Sequence, residues 1–128
     1  MEPTTDEIVA TASFRTALRR FHRRTEQCSR EHGLTPRQYL LLLLVKGAPD
    51  HSERTTISDL VERLALTQST VTELVQRAED AGLIARETSA DDGRINLLYA
   101  TPEGTRRLLA TYDALGPERQ HLLELLHP

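Results

Sequence analysis

A chain of 128 residues with a net charge of −3, one cysteine and few aromatics (three Tyr, two Phe, no Trp) is long enough for one domain whose core is built of Leu, Val, Ile and Ala. The lone thiol excludes an intramolecular disulfide, and the longest apolar run, Tyr39 to Val45, is too short to cross a bilayer; the expectation is a cytoplasmic protein with no membrane partner. Net acidity counts against a nucleic-acid partner, whose domains are commonly basic, although Arg15, Arg19, Arg20, Arg23, Arg24, Arg30 and Arg37 concentrate cations in the first third.

In chain order, residues 1–5 form a short lead-in, and Thr4 with Glu7 predicts the start of a helix. Phe14, Leu18, Phe21 and Cys28 follow at nearly heptad spacing, with Thr25 filling the gap. A stripe that narrow suits a long helix packing on another helix or on a second subunit. The Arg-rich opposite face is open to two readings: solvation and ion pairing with acids of the C-terminal helices, or contact with phosphates. His32-Gly33 ends this helix. Thr35-Pro36-Arg37-Gln38 starts the next, with a capping Thr, Pro at the first helical position and Gln to close the capping box. Its five consecutive leucines, Leu40 to Leu44, predict a helix buried almost all round between two halves of the molecule. Gly47-Ala48-Pro49-Asp50 breaks it, and a polar loop runs to Arg54.

Ile57, Leu60, Val61 and Leu64 then recur at the spacing of one buried helical face, and Val71, Leu74, Val75 and Ala78 repeat it. Only Ala65-Leu66-Thr67 lies between. Thr56 with Asp59 reads as a capping box, and the Thr67 hydroxyl can cap the second helix. Two helices joined by so tight a turn make a helix-turn-helix, whose second helix can enter a DNA major groove. Gly82 stops that helix. Leu83 to Thr88 and Ile95 to Tyr99 are β-compatible runs on either side of Asp92-Gly93, a hairpin signal. The fold class is therefore mainly α with a small β-wing, a winged helix-turn-helix. Thr101-Pro102-Glu103-Gly104 opens a further helix with apolar positions Leu108, Leu109, Tyr112 and Leu115. Gly116-Pro117 ends it, and a last segment carries Leu122, Leu123, Leu125 and Leu126; both pieces are expected beside the first helix.

On a helical wheel Ser69, Thr72, Glu73, Gln76 and Asp80 point away from the buried face of the second helix. Hydroxyls and amides there can bind phosphates and read base edges; Gln pairs bidentately with adenine and Glu accepts from cytosine. The plainer alternative is that short polar side chains solvate an exposed face. Glu73 also stands four residues before Arg77, a helical ion-pair spacing. Arg94 lies at the hairpin tip, where an extended cation can follow a narrow minor groove, and Asp92 two residues earlier can orient its guanidinium. Cys28 continues the apolar stripe and reads as a packed thiol, with redox sensing the other reading. His121, Glu124 and His127 lack the spacing of a zinc pair, so no metal and no cofactor is expected. No glycine-rich phosphate loop, nucleophile elbow or triad spacing supports an enzyme.

The order of these pieces resembles the multiple-antibiotic-resistance regulator (MarR) family. Leu34-Thr35-Pro36-Arg37-Gln38-Tyr39 is similar to the start of its second helix, and Leu66-Thr67-Gln68-Ser69-Thr70-Val71-Thr72-Glu73-Leu74-Val75 to its recognition helix. Ala81-Gly82-Leu83-Ile84-Ala85-Arg86 resembles the run into its wing, Asp91-Asp92-Gly93-Arg94 its wing tip, and Thr101-Pro102-Glu103-Gly104 the start of its fifth helix. The resemblance covers about positions 8 to 115. It implies a transcriptional regulator, usually a repressor, that binds a pseudo-palindromic double-stranded operator as a homodimer and can be released by a small aromatic effector. It also implies one domain over 1–128, with a winged lobe at 33–101 and a dimerisation lobe made of 5–32 and 102–128. The DNA-contact set it points to is Gln68, Ser69, Thr70, Thr72, Glu73, Gln76, Arg77, Asp92 and Arg94. Three departures from the family pattern stand out: Glu73 where relatives often carry arginine, Gly93 in place of a second basic residue at the wing tip, and a short final helix. The alternative is a winged-helix module that binds protein partners and does not read DNA; more acids than bases in the helix-turn-helix speak for it.

Overall fold

The computed structural model describes residues 1–127; the last residue of the domain expected over 1–128, Pro128, lies outside the described residues. Six helices and one hairpin follow each other as α1 (Thr5–Glu31), α2 (Pro36–Lys46), α3 (Ile57–Leu64), α4 (Gln68–Asp80), β1 (Ile84–Thr88), β2 (Asn96–Ala100), α5 (Pro102–Ala114) and α6 (Gly116–Leu126).

Local chemistry sets the boundaries. Thr4–Glu7 and Thr35–Gln38 are complete capping boxes, each side chain satisfying the other residue's backbone N–H. Thr67 and Thr101 cap α4 and α5 through their hydroxyls. At α3 the expected box is only half made. Thr56 Oγ1 accepts from the Asp59 N–H at 3.1 Å, and no return bond from the carboxylate forms. Asp is one methylene shorter than Glu, which accounts for the missing reach. Gly33 and Gly82 take left-handed φ values of 76° and 73° just past α1 and α4. There the next N–H turns back to the helix, Leu34 to Ser29 and Leu83 to Ala78.

The core is one cluster centred on Leu41, Leu42, Val45, Leu60, Val71, Val75, Leu83 and Leu98, joined by Cys28, Tyr39, Leu108 and Leu115. α2 runs through its middle and touches α1, α4, α5 and β2. Its burial is less complete than the leucine run suggested. Leu40 is 42% exposed, and Leu43 and Leu44 are only partly covered. Consecutive leucines point in every direction, whereas the neighbours sit on the side that Leu41, Leu42 and Val45 share. On α5 Leu108 and Thr111 face inward, as does Leu115 just beyond it, while Leu109 and Tyr112 stay exposed. Both α5 and α6 pack beside α1.

β1 and β2 pair antiparallel from Ile84↔Ala100 to Thr88↔Asn96. Asp92-Gly93 does not form a two-residue turn between them. The chain loops from 89 to 95, closed by Ser89 N–H to Ile95 C=O and Ile95 N–H to Asp92 C=O, and Gly93 keeps an ordinary φ. Thr55, just past the expected polar loop, exchanges two backbone hydrogen bonds with Leu98 and is buried, lending the hairpin a third short edge.

Candidate DNA interface

α4 shows two faces. Val71, Val75 and Ala78 are fully buried, while Gln68, Ser69, Thr72, Glu73 and Gln76 line a shallow hollow of about 590 Å³ on the solvent side. Ser69, Thr72, Glu73 and Gln76 of the row predicted on the helical wheel thus share one surface with Gln68, while Asp80, the last of that row, is exposed but does not line the hollow. Thr70 is set apart from it. Its N–H and its hydroxyl both meet Thr67 Oγ1, at 3.3 and 2.9 Å, so it serves the start of the helix.

The acids of this helix are each matched on the spot. Arg77 Nη2 donates to Glu73 Oε1 at 2.6 Å, and both side chains are mostly exposed. Gln76 Nε2 donates to Asp80 Oδ1 at 3.0 Å. Glu79 accepts from Arg86 on β1. The negative charge that argued against a nucleic-acid partner is thus partly neutralised where a duplex would approach.

At the wing tip, Arg94 donates its N–H and its Nε–H to Asp92 Oδ1, at 3.0 and 3.3 Å. Asp92 is two-thirds covered, and the Arg94 side chain is 92% exposed. Asp92 acts on the arginine, as its spacing suggested. Two contacts that sequence reasoning missed hold the wing's base. Arg86 reaches Glu79 at 2.8 Å, and Arg54 reaches Glu87 at 2.6 Å while its guanidinium covers the Tyr99 ring at 4.7 Å. The first crosses from α4 to β1 and the second joins residues 33 apart, so neither lies within one helix; the alternation of β1, which sends Arg86 and Glu87 to opposite faces, was the one available signal.

Elsewhere, Arg24 pairs with Glu118 of α6 at 3.4 Å, which supports the ion-pairing reading for that arginine of the first helix. Burial pushes the Cys28 thiol up from its ordinary value, with Arg24 opposing, and the side chain has no exposure; this is a packed thiol. Among the described residues no group of three or more His, Cys, Asp and Glu side chains converges as metal ligands, His121 and Glu124 included, and no helix is long and apolar enough to cross a membrane.

A sequence model of the MarR family matches residues 32–95. The chain is 31% identical over 88 residues to a transcriptional regulatory protein for the hcr operon of Thauera aromatica, covering 69% of this chain and 51% of that protein. It is 38% identical over 71 residues to the organic hydroperoxide resistance transcriptional regulator of Bacillus subtilis, covering 56% and 46%. The chain spans about half the length of these two curated relatives. Its fold is that of a mutant of S. aureus MepR solved bound to an oligodeoxyribonucleotide, with a TM-score of 0.70 at 22% identity over 89% of this chain and 81% of that one.

Proposed function

Because the chain belongs to the MarR family, we propose that it is a sequence-specific regulator of transcription that binds double-stranded DNA as a homodimer and represses a nearby gene. The observation that carries this reading is the outward row Gln68, Ser69, Thr72, Glu73 and Gln76 on the second helix of a helix-turn-helix. Nothing in the core needs those side chains, and hydrogen-bonding groups on that helix are what base-edge readout requires. The regulatory roles of the two curated relatives and the oligonucleotide-bound state of the structural neighbour agree with it.

In this proposal residues 33–101 form the DNA lobe. Gln68, Ser69, Thr72, Glu73, Gln76 and Arg77 address the major groove or its phosphates, with Thr70 steadying the start of their helix, while Arg94, held by Asp92, follows the adjacent minor groove. Residues 5–32 and 102–128 form the dimer lobe. Ile8 and Val9 on α1, Leu109 on α5, and Leu123 and Leu126 on α6 support that assignment, since they stay exposed among the described residues. A two-fold dimer calls for a pseudo-palindromic operator, and a small aromatic effector lodged between the lobes would shift the spacing of the helices and release it.

Fluorescence titration of the protein with duplexes tiled across the DNA upstream of its own gene tests this reading. One duplex should bind well above a scrambled sequence of the same length. Equal binding of all duplexes would leave the protein-interaction reading standing in its place.

A further inference from the structure

We propose that Asp80 is a positioning residue for base readout: it fixes the amide of Gln76 in the one orientation that recognises adenine. This rests on the DNA-reading function proposed above and names a base that it selects. Gln76 lies in the outward hollow of α4, and Asp80 is exposed one helical turn further on. The two are joined by a hydrogen bond of 3.0 Å from Gln76 Nε2 to Asp80 Oδ1.

The direction of that bond is dictated by chemistry. An ionised carboxylate has no proton to give, so only the NH₂ end of the amide can face Asp80. One N–H is consumed. The other N–H and the carbonyl oxygen remain as a donor–acceptor pair, the pattern that matches N7 and N6 of adenine. A freely rotating Gln would present either end to a base and pay an ordering cost on binding; a tethered one pays less and tolerates fewer bases.

A Gln–Asp pair at this spacing steadies a helix only slightly, a small return for the placement of Asp80. It is the last residue of α4, where the helix dipole disfavours an anion, and it forms no ion pair among the described residues. On the helical wheel it shares the outward side with Ser69, Thr72, Glu73 and Gln76, toward which the proposed reading brings a phosphate backbone. A carboxylate there weakens general DNA affinity, so a gain in discrimination is the role left to it.

The test uses the full-length protein and the duplex preferred by the wild type. Each A·T pair of the half-site is replaced by G·C in turn, and wild type, Gln76→Ala, Asp80→Ala and Asp80→Glu are titrated against the series and against scrambled DNA. Glu keeps an acceptor-only carboxylate for the Gln76 amide on a side chain one methylene longer. Gln76→Ala should abolish the preference at one A·T pair, a loss of roughly 5- to 150-fold. Asp80→Ala should lose preference at that same pair while binding scrambled DNA more tightly, and Asp80→Glu should retain the preference. Undiminished preference in Asp80→Ala overturns the proposal and leaves the DNA reading intact, as does a fall in Asp80→Ala spread evenly over all base pairs, which would make the charge the active feature. A wild type with no preferred duplex fails the function itself, and this proposal with it.

Discussion

Arg94 and Glu73 place opposite charges on the surface offered to a duplex, and each has a partner that limits what it can do. Arg94 is nearly free in solvent, but two bonds to Asp92 hold its backbone and the base of its guanidinium. A cation presented in this way gains by releasing counterions from DNA, so Arg94→Ala should weaken operator binding and make the log–log salt slope shallower by up to about one unit. An unchanged slope in a salt titration would show that the wing tip stays off the DNA. Glu73 pairs with Arg77 through Oε1, leaving Oε2 able to accept from a cytosine amino group. Glu73→Ala should therefore bind random duplexes more tightly and lose about 1–3 kcal/mol of discrimination at one base position. Parallel titrations with operator and scrambled DNA read both effects; unaltered discrimination removes Glu73 from the readout. The outward row of α4 was legible from the sequence because side-chain direction on a helix follows from a fixed angle per residue. The engagement of Thr70 in the cap was not, because a hydroxyl turned toward Thr67 and one turned toward solvent occupy the same place on a helical wheel.

Among the elements, α5 is anchored at its first turn. Thr101 donates its N–H to Leu83 C=O at 3.0 Å and its hydroxyl to Gly82 C=O at 2.6 Å, drawing the start of α5 onto the end of α4. Gly104 sits at that junction. A Cβ there would stand 2.1 Å from the Leu83 oxygen, which is backbone and cannot step aside. Gly104→Ala should force α5 off the turn between α4 and β1 and cost on the order of 1–3 kcal/mol, or more if the Thr101 bonds break, read as a lower urea midpoint. Glu103, next to Gly104, is gripped by Arg106 and Arg107, and those hydrogen bonds bring its carboxyl down to about 2 from an ordinary 4.5. Its contribution to stability is therefore complete above about pH 4.5 and fades as the pH falls toward 2. The stability gap between wild type and Glu103→Gln should close over that window in thermal melts, and salt should shrink it because the group is exposed. Helix starts of this kind are written locally, in a Thr and the residue three later, and the capping boxes at Thr4 and Thr35 lie where the sequence puts them. The exposure of Leu40, Leu109 and Tyr112 and the pairing of Thr55 with Leu98 depend on elements distant in the chain, and no local pattern carries them.

At the scale of the whole molecule the apolar surface is unevenly placed. Leu40 is the one exposed leucine of the winged half, whereas α6 has no buried residue and leaves Leu123, Leu125 and Leu126 exposed, as are Ile8 and Val9 of α1 and Leu109 of α5. Contact with α1, helped by the Arg24–Glu118 pair, does not account for leucines that point elsewhere. In the proposed dimer they meet a second copy, and the two recognition helices come to lie about 34 Å apart, one turn of DNA. Replacing Leu123 and Leu126 together with Asp tests this, because neither side chain supports the winged core. Far-UV circular dichroism and the urea midpoint of the double variant should stay close to those of the wild type at concentrations where both are monomeric. In sedimentation at micromolar concentration the wild type should run as a dimer and the variant as a monomer. On a two-half-site operator the variant should lose the gain from linked binding, on the order of 10²–10⁴ in affinity, while its weak binding to a single half-site persists. A wild type that sediments as a monomer, or a variant that still dimerises, would move the dimer surface away from α6.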